Sequence, residues 1–426
     1  MLDVAGGGVV AFAEACGEYE DFLHGGSDRG GGGFRQAWGE VGVGVKFLVG
    51  GVEDGLRVEA CLLGEGGMSM RIGILTSGGD CPGLNAVIQS AVYSAHRLGW
   101  ETIGFIDGYE GLLRPVRYKV LTPENTRRIM STGGTIIGTT NKGRFVAKVG
   151  HGERAKVPAE VIAEAKQTLR DLGVDALIAV GGDGSLTTAQ QLFEEGVPVV
   201  GVPKTIDNDI SATAMTFGFD SAVECVMRAL DSLQTTAASH KRVMIVEAMG
   251  RYAGWIALYG GIAGGADIIL IPEIPFSYEK IFRDVRDRLD AGAEYIMMVV
   301  AEGAKPIGGD YVTRSMRGCG EARLGGISQV IAEAIQENTG REARAVVLGH
   351  LQRGGNPTTF DRILGTRFGC AAVKLIREGK FGRMVSYLNY MIGDVSIAEA
   401  VGQLKLVPVD HQMVQMARDL GVSFGD

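Results

Sequence analysis

Residues 71–85 of this chain have the sequence RIGILTSGGDCPGLN. Residues 72–75 are a short apolar run, and they lead through a glycine-rich turn into a stretch of helical composition at residues 84–98. A continuous apolar strand that passes through a tight loop into a helix is the repeating unit of parallel sheets with helices on both faces. This stretch therefore predicts an α/β fold.

The same alternation continues along the chain. Residues 158–172 and 327–338 have helical character. Ligands of parallel sheets bind at the carboxyl ends of the strands, where loops lead into helices. The loops after the predicted strands are therefore the candidate binding segments. Further apolar runs with strand character lie at residues 102–106, 176–180, 197–202, 243–246, 267–271, 295–300 and 345–348.

Length and composition limit the possible functions. The 426 residues are enough for two or three domains, and a formal net charge of −8 does not favour nucleic acid as a partner. The six cysteines form no CxxC pair and no histidine has metal-ligand spacing, so neither a zinc site nor a disulfide framework is expected. No apolar run reaches the roughly 18 residues of a membrane helix, and the N-terminus lacks signal-peptide features. We expect a cytoplasmic protein with no membrane partner.

Residues 1–69 differ from the rest of the chain. They contain 19 of the 66 glycines and show no sustained helical or strand period. The composition predicts a poorly packed, disordered N-terminal extension, or one upstream of a natural start at Met68 or Met70. The alternative is a small separate domain, because residues 41–49 alternate like a short strand.

The first candidate loop is TSGGDCPGLN, residues 76–85. Its glycines allow backbone amides to approach a phosphate, and the N-terminus of the following helix favours negative charge. The loop is not a P-loop, because Leu84 stands where that motif requires a lysine, and it also lacks Rossmann spacing. A simple tight turn is the alternative.

The second candidate loop is GGDGS, residues 181–185. Asp183 is suited to hold Mg²⁺ while the neighbouring amides and Ser185 hold phosphates. The alternative is that Asp183 or Ser185 only caps a helix.

The third candidate loop is PKTIDND, residues 203–209. Two carboxylates two residues apart stand beside a threonine and a lysine, and a carboxylate near an attacking hydroxyl can accept its proton during phosphoryl transfer. A purely structural loop with Asx-turns remains open as an alternative.

These three loops are followed by MGR at residues 249–251 and GHLQRGG at residues 349–355. With these five motifs in this order, the chain resembles the 6-phosphofructokinase family from about Met70 to Lys405. The resemblance implies transfer of a phosphoryl group from Mg-ATP to the 1-hydroxyl of fructose 6-phosphate, a step of glycolysis.

The resemblance also implies an architecture. It predicts two parallel-sheet, three-layer (αβα) domains with the active site in the cleft between them. The donor-nucleotide domain would comprise residues 70–218 and 352–402, and the fructose 6-phosphate domain residues 219–351 and 403–426.

The resemblance assigns roles residue by residue. Asp207 corresponds to the base and Asp183 to the ligand of the Mg²⁺ cofactor. The catalytic set comprises Asp207, Thr205, Asp209, Arg251 and Lys204. The donor-binding set comprises Gly79, Tyr109, Lys142, Gly182, Asp183, Gly184 and Ser185. The substrate-binding set comprises Thr205, Ile206, Asp207, Arg242, Met249, Gly250, Arg251, Glu302, Arg344, His350, Leu351, Gln352 and Arg353.

Within that set, a cationic group is assigned to the 6-phosphate. It comprises His350, Arg353, Arg242 and Arg344, and a guanidinium fork matches phosphate oxygens. The family counterparts of Arg242 and Arg344 come from a neighbouring subunit. The resemblance therefore implies a homo-oligomer, expected to be a tetramer.

Two positions bear on the phosphoryl donor. Pyrophosphate-dependent members have an aspartate at the position of Gly184, where its charge repels ATP. They also have a lysine at the position of Lys204, where the regulated bacterial ATP enzymes have glycine. Gly184 favours ATP and Lys204 is a pyrophosphate-like feature, a combination that resembles the mixed-substrate subgroup.

The chain also departs from the regulated enzymes at Asn141, where they have an arginine that bridges the two phosphates. Lys142 or Arg144 is a candidate replacement. The positions that line their effector site with cations are neutral here, so control by ADP or phosphoenolpyruvate is not expected. These positions are Gln89, Tyr93, Pro123, Gln234, Ala291 and Ala293.

Three alternatives to an ATP-dependent phosphofructokinase remain open. The first is a pyrophosphate-dependent fructose 6-phosphate 1-phosphotransferase. The second is a non-catalytic sugar-phosphate-binding subunit, and the third is a kinase of another ketose phosphate. Residues 306–326, rich in glycine and basic side chains, have no assigned role.

Overall fold

The computed structural model describes strands at residues 36–41, 45–52 and 55–59, and then residues 70–140, 142–145, 156–316 and 322–426. The chain divides into two compact units, Met1–Ser69 and Met70–Asp426. In the first unit, strands β1 (Gln36–Val41), β2 (Val45–Val52) and β3 (Gly55–Glu59) form an antiparallel sheet in chain order. The strand predicted within residues 41–49 overlaps β2. Apart from β1, β2 and β3, the predicted N-terminal extension lies outside the described residues.

The second unit contains the remaining described strands and helices. Its strands are β4 (Arg71–Ser77), β5 (Glu101–Phe105), β6 (Tyr118–Leu121), β7 (Ala176–Gly181), β8 (Val199–Pro203), β9 (Val243–Ala248), β10 (Ile268–Leu270), β11 (Ile296–Ala301), β12 (Thr313–Met316), β13 (Ala322–Leu324), β14 (Ala343–Val347), β15 (Arg383–Leu388) and β16 (Met391–Ser396). Its helices are α1 (Leu84–Arg97), α2 (Ala159–Asp171), α3 (Asp183–Glu194), α4 (Phe219–His240), α5 (Trp255–Ala263), α6 (Tyr278–Asp290), α7 (Ile327–Thr339), α8 (Thr359–Arg377), α9 (Ile397–Ala400) and α10 (Gln412–Asp419). Short 3₁₀ turns occur at Gly108–Leu112, Ile129–Ser131 and Gly349–Arg353.

Two sheets organise this unit. The larger has seven strands in the order β16-β15-β8-β7-β4-β5-β6, parallel except for the antiparallel edge strands β6 and β16. The smaller has four parallel strands in the order β10-β11-β9-β14. Strands β7, β8, β9 and β11 are buried along their whole length, as expected for strands covered on both faces.

The α/β fold predicted from the sequence is confirmed. Each of the eight apolar runs overlaps an observed strand, and the three predicted helices correspond to α1, α2 and α7 within one or two residues. The proposed domain boundaries remain a prediction, although the large sheet draws only on residues 71–203 and 383–396 and the small sheet only on residues 243–347.

Three helix N-termini are capped by carboxylates from elsewhere in the chain, of which Glu247 and Asp361 are buried and Glu273 is half-buried. Glu247 of β9 accepts hydrogen bonds from Gly326 N (2.9 Å) and Ser328 N (3.0 Å) at the start of α7. Glu273 accepts one from Gly254 N (3.0 Å) at the start of α5. Asp361 of α8 accepts bonds from Ser221 N (2.8 Å) and Ser221 Oγ (2.6 Å) in the first turn of α4. An acceptor and a negative charge are both favourable where free N–H groups and the helix dipole meet.

In the described part of the chain, no helix combines the length and the apolar character that crossing a membrane would require.

Asp361 provides a test of these caps, because it is fully buried and its Oδ1 has no hydrogen-bond partner. We expect Asp361→Ala to lower the free energy of unfolding by about 2–4 kcal/mol, because the two donors of Ser221 lose their buried acceptor. Urea denaturation measures the effect. Asp231→Ala, at an exposed position of the same helix α4, is the matched control and should change it by less than about 0.5 kcal/mol.

The pH dependence gives an independent check. Burial raises the pKa of Asp361 from 3.8 to about 6. The folded state therefore binds more protons than the unfolded state between these values, and this residue's contribution to stability falls as pH rises through that window. Asp361→Asn should remove this part of the pH dependence, and an unchanged profile would contradict the assignment.

Candidate active site

The three predicted loops lie side by side at one edge of the large sheet. Strands β4, β7 and β8 are adjacent and parallel, and Ser77, Gly181 and Pro203 at their carboxyl ends are in register. The loops that follow therefore start at the same level. This brings residues 78–83, the segment around Gly182 and residues 204–209 together, as expected for a ligand site of a parallel sheet.

The first loop is held by the segment 139–140 and by a buried lysine. Gly78 N donates a hydrogen bond to the carbonyl oxygen of Thr140 (3.0 Å), and Thr139 Oγ1 donates to the carbonyl oxygen of Gly78 (2.7 Å). The Nζ of Lys204 donates to the carbonyl oxygen of Gly79. Lys204 is only 3% exposed, and burial lowers its pKa. The amino group of Lys204 is thus fixed against the glycine loop.

The second loop leads straight into α3, which begins at Asp183 with Gly182 at the N-cap position. Tyr109 was predicted to lie beside the donor. The structure buries its ring against Phe145 and places its hydroxyl in a hydrogen bond to the carbonyl oxygen of Ser185 (2.8 Å). Tyr109 therefore stabilises the second loop through this hydrogen bond.

The third loop contains the buried carboxylates. Asp207 is 6% exposed, its backbone N donates to Thr205 Oγ1 (3.0 Å), and its Oδ1 has no hydrogen-bond partner. Burial, followed by the charge of Asp207, raises the pKa of Asp209 to about 7, and Asp183 adds to the same effect. Burial and the charge of Asp207 also raise the pKa of Glu302 to about 7. Four carboxylates therefore share one weakly solvated region.

These carboxylates are suited to a divalent cation bound together with substrate phosphates. Among the residues that the structure describes, no group of three or more His, Cys, Asp and Glu side chains forms a metal cage. Mg²⁺ usually takes only one or two carboxylates and completes its octahedron with phosphate oxygens and water. Asp183, at the start of α3, lies close enough for its charge to act on Asp209.

The loop predicted to bind the acceptor sugar, residues 249–251, begins where β9 ends. We call it the acceptor loop. Arg251 has a left-handed backbone (φ 50°), and its N donates to Glu302 Oε1 (3.1 Å). Gly303 packs against the carbonyl of Arg251 so closely that a Cβ at this position would collide with it. Met249 N donates to Gln352 Oε1 (3.3 Å), which joins this loop to GHLQRGG.

The side chains of the predicted substrate residues differ in their exposure to solvent. Gln352 and Ile206 are buried, so their side chains stabilise the loops, whereas His350 and Leu351 are exposed. Arg353 was predicted to bind the 6-phosphate. Its Nη1 lies 3.1 Å from the carbonyl oxygen of Asp80, at the edge of the first loop.

A close backbone contact supports this placement of Arg353. Gly133, in the loop after Ile129–Ser131, packs on the carbonyl oxygen of Gly355, and a Cβ on Gly133 would collide with it. Two segments that are far apart in sequence are therefore pressed together.

Arg242 and Arg344 lie at the other end of the small sheet. Arg242 precedes β9 and Arg344 is the second residue of β14, whereas Arg251 and His350 follow the carboxyl ends of these parallel strands. The six residues of β9 span about 20 Å. Both arginines contact Glu342, Arg242 through Nε at 2.7 Å. They therefore do not reach the acceptor loop of their own chain.

The remaining predicted residues have local partners. Arg144 Nη1 lies 3.0 Å from Glu164 Oε2, and Lys142 is exposed, while Asn141 lies outside the described residues. Among the neutral effector positions, Gln89, Tyr93 and Gln234 each make a hydrogen bond within the chain.

Sequence reasoning missed Lys405 and Trp255. Lys405 Nζ contacts the loop that contains Asp207 and Asp209, and Trp255 donates from Nε1 to the carbonyl oxygen of Lys405 (2.8 Å). Neither belongs to a motif, and both are far from the loop in sequence.

Comparisons with known proteins agree with the geometry. Residues 71–376 match a family model described as Phosphofructokinase. A protein of Chloroflexus aurantiacus named ATP-dependent 6-phosphofructokinase is 49% identical over 359 residues, which cover 84% of this chain and 98% of that protein. The structure of phosphofructokinase from Saccharomyces cerevisiae is similar, with a TM-score of 0.68 and 32% sequence identity. The match covers 78% of this chain and 45% of the yeast chain, so this chain spans less than half of the yeast chain. A pyrophosphate-dependent phosphofructokinase from Marinobacter aquaeolei has the same fold, with a TM-score of 0.68, 22% identity, and coverage of 83% of this chain and 92% of that one.

The crowding of carboxylates predicts opposite effects on stability and on catalysis. The folded-state pKa of Asp209 lies above its ordinary value of 3.8, so the folded protein loses stability as pH rises towards about 7. Asp209→Asn should therefore stabilise the fold by about 2 kcal/mol at pH 8, and by less at pH 5.5, where the wild-type carboxyl is mostly protonated. Turnover should fall about 100-fold, because a charge next to the reacting groups is lost.

Urea denaturation at the two pH values and steady-state kinetics measure both effects. The control is Asp410→Asn, at an exposed position, which should change neither quantity. If Asp209→Asn is less stable than the wild type at pH 8, the negative charge of Asp209 does not destabilise the fold and the prediction is wrong.

Proposed function

This chain belongs to the phosphofructokinase family, and from that membership we propose that it transfers the γ-phosphoryl group of Mg-ATP to the 1-hydroxyl of fructose 6-phosphate. The observation that carries the proposal is the state of Asp207. This carboxylate is buried next to the GGDGS loop and has one oxygen, Oδ1, without a hydrogen-bond partner. A buried, unpaired acceptor is costly unless a substrate satisfies it, and a sugar hydroxyl supplies the missing donor.

The proposed chemistry uses Asp207 as the general base. The 1-hydroxyl of the sugar donates its proton to Oδ1 as its oxygen attacks the γ-phosphorus of ATP. The bond from the γ-phosphorus to the β,γ-bridging oxygen breaks, and ADP leaves with that oxygen. Thr205 Oγ1 accepts from Asp207 N (3.0 Å) and so fixes the direction of the carboxylate. Arg251 is proposed to bind the sugar phosphate, and its backbone N is held by a hydrogen bond to Glu302.

The negative charge of the phosphates requires cations. Asp183 is the proposed ligand of Mg²⁺, which would neutralise the charge of the β- and γ-phosphates when bound. Lys204 contributes a fixed ammonium behind the loop of Gly79, and Arg353 adds a guanidinium at its edge. These groups act where charge develops in the transition state.

The choice of donor depends on two positions. Gly184 presents no side chain to the nucleotide α-phosphate, which favours ATP. Lys204 supports the second candidate, a pyrophosphate-dependent phosphotransferase, because a buried ammonium would also stabilise a pyrophosphate donor. Relatives named ATP-dependent 6-phosphofructokinase favour the first.

Oligomerisation, location and regulation form the finer part of the proposal. The positions of Arg242 and Arg344, about 20 Å from the acceptor loop, support a homo-oligomer, proposed as a tetramer, in which each pair serves a neighbouring subunit. A cytoplasmic location suits a glycolytic enzyme. The neutral side chains of Gln89, Tyr93 and Gln234 support an enzyme without control by ADP or phosphoenolpyruvate.

The donor prediction is tested with purified protein, fructose 6-phosphate and Mg²⁺. We expect kcat/KM to be at least about tenfold higher with ATP than with pyrophosphate, and Gly184→Asp to reduce the ATP value about 100-fold by charge repulsion. Asp207→Asn should lower kcat about 10³-fold with either donor. Faster turnover with pyrophosphate would reverse the donor assignment, and the absence of product with both donors would overturn the kinase function.

A mixing experiment tests the shared site. Asp207→Asn subunits lack the base, and Arg242→Ser subunits lack a phosphate contact that we assign to a neighbour. After co-refolding, hybrid oligomers contain some sites that carry neither change and should regain part of the wild-type activity. If the mixture is no more active than the separate variants, Arg242 acts within its own chain or not at all.

A further inference from the structure

Lys405 lies between α9 and α10, in a segment without regular structure. Its Nζ is 2.9 Å from Asn208 Oδ1 and 3.0 Å from the carbonyl oxygens of both Thr213 and Ala214. An ammonium has three N–H donors, and here each one meets an oxygen of the same loop. The three oxygens therefore form a small cation pocket that this side chain fills.

One oxygen of the pocket belongs to Asn208, which lies between the two carboxylates of the proposed catalytic loop. Asn208 has a left-handed backbone with φ 52°, which is uncommon for a residue with a side chain. Its Oδ1 accepts from Lys405 Nζ and from Thr216 N (3.1 Å), and the residue is almost fully buried. The backbone of Asn208 sets the relative directions of Asp207 and Asp209, so whatever holds Asn208 also orients both carboxylates.

The same lysine is joined to the acceptor side. Its backbone N donates to the carbonyl oxygen of Asp209 (2.9 Å), and its own carbonyl accepts from Trp255 Nε1 (2.8 Å). The Trp255 ring lies 5.7 Å from Nζ, within the range of a cation–π contact. Trp255 is the first residue of α5, only four positions after Arg251.

A second bond in this segment strengthens the connection. Val407 N donates to Glu273 Oε1 (2.9 Å), and the same carboxylate caps the start of α5 through Gly254 N. Residues 405–407 therefore join the loop of the proposed base to the helix that follows the acceptor loop.

The surroundings of Lys405 lower its pKa, but not to below neutral pH. Burial lowers its pKa to about 8, and the charge of Asp209 opposes that change. His411 also packs on Trp255, with its ring centroid 5.1 Å from that of the indole. The side chain therefore remains an ammonium at neutral pH.

We propose that Lys405 is a positioning residue for phosphoryl transfer: its tethered ammonium fills the three-oxygen pocket, holds Asn208 in its left-handed conformation, and so aligns Asp207 and Asp209 with the loop of Arg251. The proposal rests on the function proposed above. It assigns a role in the reaction to a residue that touches neither substrate.

The test uses the full chain and three variants. Lys405→Met removes the charge but keeps most of the volume, Lys405→Ala opens the pocket, and Lys405→Arg keeps a cation. We expect kcat of the Met and Ala variants to fall about 10- to 100-fold, while KM for fructose 6-phosphate and for ATP changes less than about threefold, because positioning acts on the transition state. The Arg variant should retain more activity than the Met variant. Lys374→Met, at an exposed position of α8, is the control and should behave as the wild type.

Chemical rescue separates positioning from a general structural effect. Methylammonium carries N–H donors and fits a pocket emptied by Lys405→Ala, so it should restore kcat of this variant at least about fivefold in a saturable manner. It should not rescue the Met variant, whose side chain still occupies the space. Tetramethylammonium at equal concentration has no N–H group and should have no effect. Wild-type kcat in Lys405→Ala or Lys405→Met, or a loss in Lys405→Ala that methylammonium does not reverse, would overturn the proposal.

A binding readout makes the test independent of activity. Methylammonium should raise the Tm of Lys405→Ala by a few degrees and leave the Tm of the wild type and the Met variant unchanged, because it binds only the emptied pocket. If the wild type converts neither donor, the proposed function fails while this shift still reports on the pocket. If no shift occurs, the pocket does not bind a cation and the inference fails even where the wild type is active.

Discussion

Ser77, Gly181 and Pro203 are paired in register at the carboxyl ends of three adjacent parallel strands. Each of these strands continues into a short loop rich in glycine or acidic residues, so the register alone brings Asp183, Asp207 and Asp209 to one edge of the sheet. Three carboxylates in a weakly solvated place repel one another, which the raised pKa of Asp209 reflects. The rest of the site can be understood as the response to this concentration of negative charge.

That response is a set of cations, of which Lys204 belongs to the third loop itself and two come from other parts of the chain. Lys204 reaches back to the carbonyl of Gly79, Arg353 lies on the carbonyl of Asp80, and Lys405 fills an oxygen pocket behind Asn208. Although the protein has a net charge of −8, Lys204 near the site is buried, Arg353 is hydrogen-bonded to the first loop, and Lys405 makes three hydrogen bonds. Such fixed charges need no reorganisation when a phosphate arrives, which is the main electrostatic advantage of an enzyme site over water.

The sequence predicted the parts of this arrangement that are continuous along the chain. The motifs at residues 76–85, 181–185 and 203–209 each follow a strand whose apolar run is visible in the sequence, so both the strand and its loop could be located. Strands β6 and β16 were missed, because edge strands that alternate between partly buried and exposed residues lack a continuous apolar run. Lys405 was missed because its partners are about 190 residues away and no local pattern marks a contact of that kind. Burial adds detail to one expectation: Tyr109, predicted to lie beside the nucleotide, has a buried ring, and its hydroxyl donates to the carbonyl oxygen of Ser185 in the second loop.

The contact between Gly133 and Gly355 has a mechanical consequence. The segment 132–138 contacts the first loop, which we propose binds the donor, since Asn85 of that loop donates from Nδ2 to the carbonyl oxygen of Thr132 (3.0 Å), while Gly355 ends the GHLQRGG segment. No side chain lies between the two backbones, so no rotamer change of a side chain can compensate for a displacement of one of them. A movement of one segment is therefore transmitted to the other, which couples the two parts of the protein that we propose bind the nucleotide and the sugar phosphate.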